Sequence, residues 1–173
     1  SLEERVIASS LKMIKGKNKA LVETLFKFFA VFPEDVPVPA AFFNKMAPLL
    51  SADKSEKKAR LNVGVALTTL LKYNLLKGSL LHGGQGLFMH DIVRDYVINQ
   101  HLDDELRLLQ RSVVGKALAA RPEPDGFPTS EHAAADSFEG YIARQLYWHM
   151  RGSLAKGDEP LDAWITHQDV MVK

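Results

Sequence analysis

One short glycine-rich stretch interrupts an otherwise helical pattern, and it most limits which folds this chain can adopt. Residues 79–89 read as two short strands that turn around Gly83, Gly84 and Gly86. After a helical lead-in, three segments with helical apolar spacing precede this hairpin, and another follows it from Asp91. Helix, helix, helix, hairpin, helix is the order of a winged helix. The predicted fold class is therefore mainly α: a winged helix with a three-helix core and a short β-hairpin wing, followed by a helical extension.

Apolar periodicity and prolines predict the helices that come before the hairpin. The expected spans are residues 2–14, 20–32, 40–50 and 61–76. Pro33 ends the second helix, and the prolines in 33–39 make that segment an extended connector. Pro39 suits the first turn of the next helix, in which Pro48 is an alternative end. Gly78 is expected to close the last of these four helices.

Composition and periodicity divide the chain into four regions. They are a helical lead-in over 1–20, a winged-helix domain with a long C-terminal helix over 21–121, a linker over 122–134 and a helical extension over 135–173. The stretch RPEPDGFPTS, with three prolines and one glycine, indicates the linker. Apolar spacing from Asp91 indicates the long helix, with a break near His101 as an alternative.

The extension is predicted to contain two helices. One apolar face is formed by Phe138, Tyr141, Ile142, Leu146 and Met150, and a last helix holds Trp164 and Ile165. His149 lies on or beside that face, so we expect a hydrogen-bonded structural histidine. Trp148 and Trp164 are expected to be packing residues. Because the extension is too small to bury its own core, it should pack on the winged helix or on elements past Lys173.

Overall composition excludes several classes of function. The net charge is +1, from 22 basic and 21 acidic residues, so the whole chain lacks the electrostatic footprint of a nucleic-acid or anionic-membrane binder. The absence of cysteine excludes disulfides and thiol nucleophiles. No apolar run approaches the roughly 18 residues of a membrane span, and the start lacks a signal-peptide layout. We expect a soluble, cytoplasmic chain, and its start without Met indicates part of a longer or processed protein.

Enzyme signatures are absent from the sequence. The phosphate-binding pattern GxxxxGK[ST] does not occur, because Gly16 and Lys17 are followed by Asn18 and the Gly115–Lys116 pair has no preceding glycine in register. The six histidines show no HExxH or similar metal-ligand spacing, and GxSxG is missing. The chain is therefore expected to be neither an enzyme by itself nor a metal protein.

The third helix of the predicted winged helix is a poor DNA reader. Between Leu61 and Leu76 its one basic residue is Lys72, and its apolar face is broad enough to be mostly buried. The segment before it, Ser51 to Arg60, is expected to be a polar, lysine-rich loop or the entry of the helix, and its cluster from Lys54 to Arg60 is expected to be solvated rather than to bind phosphate. A DNA-binding winged helix of a transcription regulator is kept as an alternative.

The adjacent His90 and Asp91 stand where the hairpin meets the next helix. An acidic residue there accepts bonds from unpaired backbone N–H groups, so Asp91 can be a plain N-cap with no ligand. The functional alternative is that His90, fixed at the start of the helix, offers a donor to an anionic group bound elsewhere. A phosphate group would suit this donor.

Two motifs resemble those of the NB-ARC proteins, signalling NTPases that include plant disease-resistance receptors and the apoptotic protease-activating factor. FMHDIVRDYV, residues 88–97, resembles the MHD motif of that family. LFKFFAVFPEDVPVP resembles its helix ending in Phe-Pro-Glu-Asp, here Phe32 to Asp35. Beyond the linker, YIARQLYWHM and LDAWITHQDVM look like the helical segment that leads into WD40 or TPR-type repeats. The resemblance is strong over 1–100 and weak from 135 onward.

The resemblance implies a regulatory role in defence-like or apoptosis-like signal transduction. In the family the winged helix closes over the nucleotide, and the set equivalent to Met89, His90 and Asp91 senses it. The resemblance implies that His90 contacts the ADP phosphates and that Asp91 orders the loop and helps to hold the closed arrangement. Exchange of ADP for ATP would move the winged helix and permit oligomerisation. ADP or ATP is implied only for the longer parent protein, since P-loop and Walker B acid are absent here. The implied partners are the nucleotide-binding domain of the same chain and further copies when active; a plain protein-interaction scaffold is a further alternative.

Overall fold

The computed structural model describes residues 1–81, 83–101, 103–120 and 134–154, and within them the chain is mainly helical. The elements are α1 (Leu2–Met13), α2 (Lys19–Phe28), a 3-10 turn (Phe29–Val31), α3 (Ala40–Leu50), α4 (Glu56–Lys72), β1 (Lys77–Ser79), β2 (Gly86–Phe88), α5 (Asp91–Gln100), α6 (Asp103–Ala119) and α7 (Phe138–Ser153). None of the helices in this part of the chain combines the length and apolarity that a membrane crossing needs.

Prolines set the limits of the first helices, as the sequence predicts. The segment α2 plus its 3-10 turn ends at Val31, and Phe32 adopts an extended conformation before Pro33. Pro39 was expected in the first turn of α3; it is the N-cap residue, immediately before the first helical residue, Ala40. Pro48 lies inside α3 without ending it, because a helix that stops at Leu50 loses only one bond to a proline so near its end.

The prediction that Gly78 closes the fourth helix is wrong. That helix, α4, ends at Lys72, and Asn74 adopts the left-handed conformation, with φ of 55°, that ends a helix as glycine often does. Gly78 instead lies within β1 with φ of 105°. A Cβ on Gly78 would lie 2.0 Å from the carbonyl oxygen of Gly86, so this glycine permits close strand pairing.

The predicted hairpin is confirmed, and the connector extends it. Strands β1 and β2 pair antiparallel with Lys77 opposite Phe88 and Ser79 opposite Gly86. Val38 bridges the other edge of β2 through a pair of hydrogen bonds with Leu87, at N···O distances of 2.7 and 2.8 Å. The connector therefore adds one residue of strand pairing beside the hairpin. The sequence does not indicate this pairing, because Val38 lies between two prolines.

The predicted long helix from Asp91 to Arg121 is two helices. His101 is extended, with φ of −121° and ψ of 145°, and separates α5 from α6. The break coincides with the alternative expected at His101. The Nδ1 atom of His101 lies 2.8 Å from a carboxylate oxygen of Glu105. Glu105 belongs to the acidic first turn of α6, where negative side chains interact favourably with the helix dipole.

Aromatic side chains form the core and tie α7 to the earlier helices. The ring of Phe42 stacks on Phe138 with centroids 5.5 Å apart, and Phe32 meets Tyr141 edge-on at 6.0 Å. The five apolar residues predicted on the α7 face are all buried. The extension therefore packs on the preceding helices through α7. The predicted linker up to residue 133, and the last predicted helix with Trp164, lie outside the described residues.

Candidate functional site at the start of helix α5

The tripeptide Met89, His90 and Asp91 connects β2 to α5, and its three side chains lie in different environments. Met89 is 6% exposed and belongs to the hydrophobic core. His90 is the N-cap of α5, with φ of −65° and ψ of 147°, and its side chain is exposed. Asp91 is the first residue of α5 and is exposed as well. Met89 thus anchors the chain, while the other two predicted site residues face solvent.

A surface cleft of about 570 Å³ adjoins the start of α5. It lies between α1, the turn that follows α4, and the first residues of α5, and both His90 and Asp91 line it. Three further lining residues are large, apolar and exposed: Leu2 at 65%, Val6 at 57% and Ile92 at 59%. Exposed apolar side chains grouped around a polar one are typical of a surface that another protein segment covers.

The charges in this cleft do not form an anion site by themselves. Its lining in the described chain contains the carboxylates of Glu3 and Asp91 and the imidazole of His90, and no lysine or arginine. A hydrogen bond from its own backbone N–H lowers the pKa of Glu3, which keeps that carboxyl ionised. The first backbone N–H groups of α5 have no acceptor within the helix and supply the remaining donors. The site can therefore contribute to binding one anionic group that other residues hold.

The side chain of His90 is positioned by packing. Its ring meets Phe88 edge-on, with centroids 5.9 Å apart, and it makes no hydrogen bond to another described residue. The reading of Asp91 as the N-cap is wrong, because the chain adopts the cap conformation one residue earlier, at His90. Asp91 still lies in the first turn, where a negative charge favours the helix dipole. Both ring nitrogens of His90 remain accessible to a ligand or partner.

An ion pair joins the two motifs that resemble the NB-ARC family. The Nη1 atom of Arg94 lies 2.7 Å from a carboxylate oxygen of Glu34, so α5 contacts the Phe-Pro-Glu-Asp turn across 60 residues of sequence. The Arg94 side chain is only 14% exposed, while that of Glu34 is 54% exposed. Sequence reasoning missed this contact, since nothing local to either motif pairs the two residues.

A second polar centre lies deep in the helical core. His149 is fully buried, its Nε2 lies 2.8 Å from the hydroxyl of Tyr141, and its Nδ1 contacts the amide oxygen of Gln110. Since an amide oxygen only accepts, Nδ1 carries the proton and Nε2 accepts from the tyrosine. Burial lowers the pKa of His149 to about 3 and raises the pKa of Tyr141. The prediction of a hydrogen-bonded structural histidine is confirmed.

This network continues to the backbone of the 3-10 turn. The amide nitrogen of Gln110 and the indole nitrogen of Trp148 each donate to the carbonyl oxygen of Val31, both at 2.8 Å. The indole of Trp148 therefore does more than pack. With both nitrogens of its imidazole bonded inside the protein, His149 has no donor or acceptor left for a ligand. Gln110 was missed from the sequence because a glutamine on a helix carries no distinguishing local signal.

Comparison with known proteins finds no relative of this chain. No family model, no curated protein and no solved structure matches this chain. The resemblance to NB-ARC proteins therefore rests on the residues of the two motifs, and a function must be inferred from the geometry around His90.

Proposed function

We propose that this chain is the regulatory winged-helix module of an NB-ARC-type signalling ATPase, which closes over bound ADP to hold the resting state. The observation that carries the proposal is the exposed imidazole of His90 at the start of α5, in a cleft with Leu2, Val6 and Ile92. The winged-helix assignment is supported by the order α2, α3, α4, hairpin, α5 and by the Val38 bridge beside the hairpin.

In the proposed resting state, the nucleotide-binding domain of the parent protein covers this cleft. Burial of the three apolar side chains would supply the contact area, and His90 would donate to an ADP phosphate oxygen. The carboxylates of Glu3 and Asp91 disfavour an anion held in the open cleft, so the module needs a phosphate cradle on the partner domain. Nucleotide is then bound by the parent protein and not tightly by this chain alone.

Closure on ADP is a shift between two populated states. A ligand that favours the closed state by about 1.4 kcal/mol changes the ratio of closed to open tenfold, and a few kcal/mol keep it dominant. One charge-assisted hydrogen bond from His90 is of that size. Replacement of ADP by ATP would remove this preference, release the winged helix and expose surfaces for oligomerisation.

The test is the nucleotide content and oligomeric state of the longer parent chain. Purified wild type, His90→Ala and Asp91→Val are denatured, the released nucleotide is quantified, and each intact protein is sedimented. We expect near-stoichiometric ADP in the wild type, and less ADP with larger particles in both variants. In Asp91→Val the expected loss comes from the first turn of α5, because the carboxylate that favours the helix dipole there is removed and the segment that positions His90 is loosened. His101→Ala, which removes an imidazole at the other end of α5, is the control and should behave as wild type. Unchanged ADP and unchanged sedimentation in both test variants would refute the proposal.

A protein-interaction scaffold is the second candidate, and the outer face of α4 favours it over DNA binding. Leu61 and Val65 are 67% and 47% exposed in the middle of this helix, where a DNA reader would carry polar groups. Random duplex DNA titrated at low salt and then at higher salt separates the two classes. We expect little DNA binding at either salt concentration. Tight DNA binding that weakens steeply as salt is added would instead indicate a transcription regulator.

A further inference from the structure

A second cleft, of about 600 Å³, lies where α5, α6, α7 and the 3-10 turn meet. It shares no lining residue with the cleft at His90. Three arginines line it, one from each helix: Arg94 of α5, Arg107 of α6 and Arg151 of α7. Three separate helices therefore each bring one arginine to the same cleft.

The acidic partners of these arginines leave much of their donor capacity unused. Arg94 and Arg107 each use an Nη1 atom in an ion pair at 2.7 Å, with Glu34 and Asp104 respectively. These carboxylates are 54% and 79% exposed, so solvent weakens both pairs. Arg151 has no ion pair or side-chain hydrogen bond within the described residues. Its guanidinium is therefore available to a ligand.

The strongest sign of a missing ligand is on Arg94. Its Nε–H is buried and has no acceptor in the described chain, although the side chain lines the cleft. Buried nitrogen donors almost always have an acceptor in folded proteins, since an unpaired one loses its hydrogen bonds to water without replacement. An oxyanion in the cleft would provide the acceptor once the Arg94 side chain turns, because the Nε atom is closed to solvent in this arrangement.

We propose that this cleft binds the phosphate group of a small molecule. A phosphate offers several acceptor oxygens in a tetrahedral arrangement, which three arginine forks approaching from different helices can share, whereas one fork already satisfies a planar carboxylate. Among the lining residues three arginines face the single carboxylate of Asp103. Glu34 and Asp104, which lie outside the lining, offset part of the charge of Arg94 and Arg107, so Arg151 supplies the one guanidinium of the three without an ion-pair partner among the described residues. Asp103 limits the affinity and disfavours ligands with several adjacent phosphates.

Binding here would act on the packing of α7. The cleft joins α5 and α6 to the last turn of α7, at Arg151, Gly152 and Leu154, and its lining includes Gln110 of the buried network. A phosphate bridging the three helices stabilises the docked position of α7. This inference is independent of the proposed ADP contact at His90.

The test is a titration of the isotopically labelled 173-residue chain, observed at the arginine Nε–H resonances by NMR. Inorganic phosphate is added at constant ionic strength, with sodium chloride as the reference salt. We expect the Arg94 Nε–H resonance, assigned with Arg94→Lys, to shift saturably with phosphate only. Arg151→Gln should weaken binding about tenfold, because one charge-assisted contact is lost and this exposed residue is not needed for folding.

The same titration includes a control variant. Arg5→Gln removes an equal charge from an exposed position on α1 and should leave the dissociation constant unchanged. The same titration is repeated with a phosphate monoester, glycerol 3-phosphate. Tighter binding of the monoester indicates an esterified ligand, and tighter binding of inorganic phosphate indicates free phosphate. A shift that does not saturate, an equal shift with chloride, or unchanged affinity in Arg151→Gln would overturn the proposal.

Discussion

The two histidines at positions 149 and 90 occupy opposite kinds of environment. His149 is fully buried in α7, and each ring nitrogen has a protein partner. His90 is exposed at the start of α5, where Phe88 orients the ring but no described residue bonds its nitrogens. A histidine whose bonding capacity is used inside the fold contributes to stability. One that is positioned but unbonded has capacity left for a ligand.

The energetic consequences of the two environments also differ. Removing one member of a buried hydrogen-bonded network leaves its partners without water or protein contacts, which costs more than the bond itself contributes. Removing an exposed side chain changes little, because water replaces its contacts. Stability measurements should therefore respond to His149, and binding measurements to His90.

The largest expected effect is on stability and separates the two histidines directly. His149→Ala should lower the free energy of unfolding by about 3 kcal/mol, since it leaves Tyr141 and Gln110 unpaired beside a cavity. His90→Ala should change it by less than about 0.5 kcal/mol. Urea denaturation followed by circular dichroism measures both. Equal losses in the two variants would show that the exposed histidine is also structural.

The next effect concerns the hairpin that leads to Phe88 and His90. Gly86→Ala should cost about 2 kcal/mol, because its φ is 81° and a Cβ would lie 2.6 Å from the carbonyl oxygen of Val38. Gly83→Ala is the matched control: its φ is 75°, but a Cβ there meets nothing within 4 Å, so about 1 kcal/mol is expected. If thermal or urea unfolding gives equal costs, the Val38 bridge does not constrain the hairpin.

Acidification should reveal His149 through the pH dependence of stability. Burial lowers the pKa of His149 from its ordinary value of 6.5 to about 3 in the folded chain, so between these values the unfolded chain binds a proton that the folded chain does not. The free energy of unfolding therefore falls as pH falls below 6.5. The His149 contribution between pH 6.5 and 5 is about 1.5 kcal/mol. His149→Gln should flatten this slope; a slope parallel to that of the wild type would contradict the assignment of His149.

The smallest expected effect concerns the ion pair that joins the two motifs. Glu34→Gln should reduce stability by about 0.5 kcal/mol, because the carboxylate of this pair is mostly exposed. Glu56→Gln, which removes the exposed partner of Arg60 on α4, is the comparison and should cost no more. Precise urea midpoints resolve differences of this size. A loss above about 2 kcal/mol for Glu34→Gln would mean that the pair is effectively buried.

Local patterns predicted the elements of this fold well. Apolar spacing places α2, α3 and the body of α4, although α4 begins at Glu56 and not at residue 61. The glycine-rich stretch places the hairpin, whose first strand begins at Lys77 and not at residue 79, and the five apolar residues on α7 are buried as expected. The helix end was misplaced at Gly78 because Asn74 can also adopt the left-handed conformation, which sequence inspection did not consider. Likewise, the N-cap fell at His90, a residue type that seldom holds that position.

Contacts between distant segments were beyond the reach of local patterns. The bridge from Val38 to Leu87, the pair of Glu34 with Arg94 and the bond from Gln110 to His149 each join residues far apart in sequence. Their partners depend on how the helices pack, and periodicity carries no information about that. The candidate site was found because His90 and Asp91 are neighbours in the chain. The cleft around them becomes visible only when α1 is placed beside α5.

The rate of ADP release from the longer parent chain reports on the proposed contact between His90 and the nucleotide. A fluorescent ADP analogue is loaded, excess unlabelled ADP is added, and release is followed for wild type, His90→Ala and the control His101→Ala. Alanine has no side-chain donor, so the loss of one hydrogen bond to a phosphate oxygen predicts release about tenfold faster in His90→Ala, with urea stability nearly unchanged. Wild-type release should be retained in His101→Ala. Identical rates in all three proteins would contradict the assignment of His90 as the nucleotide contact.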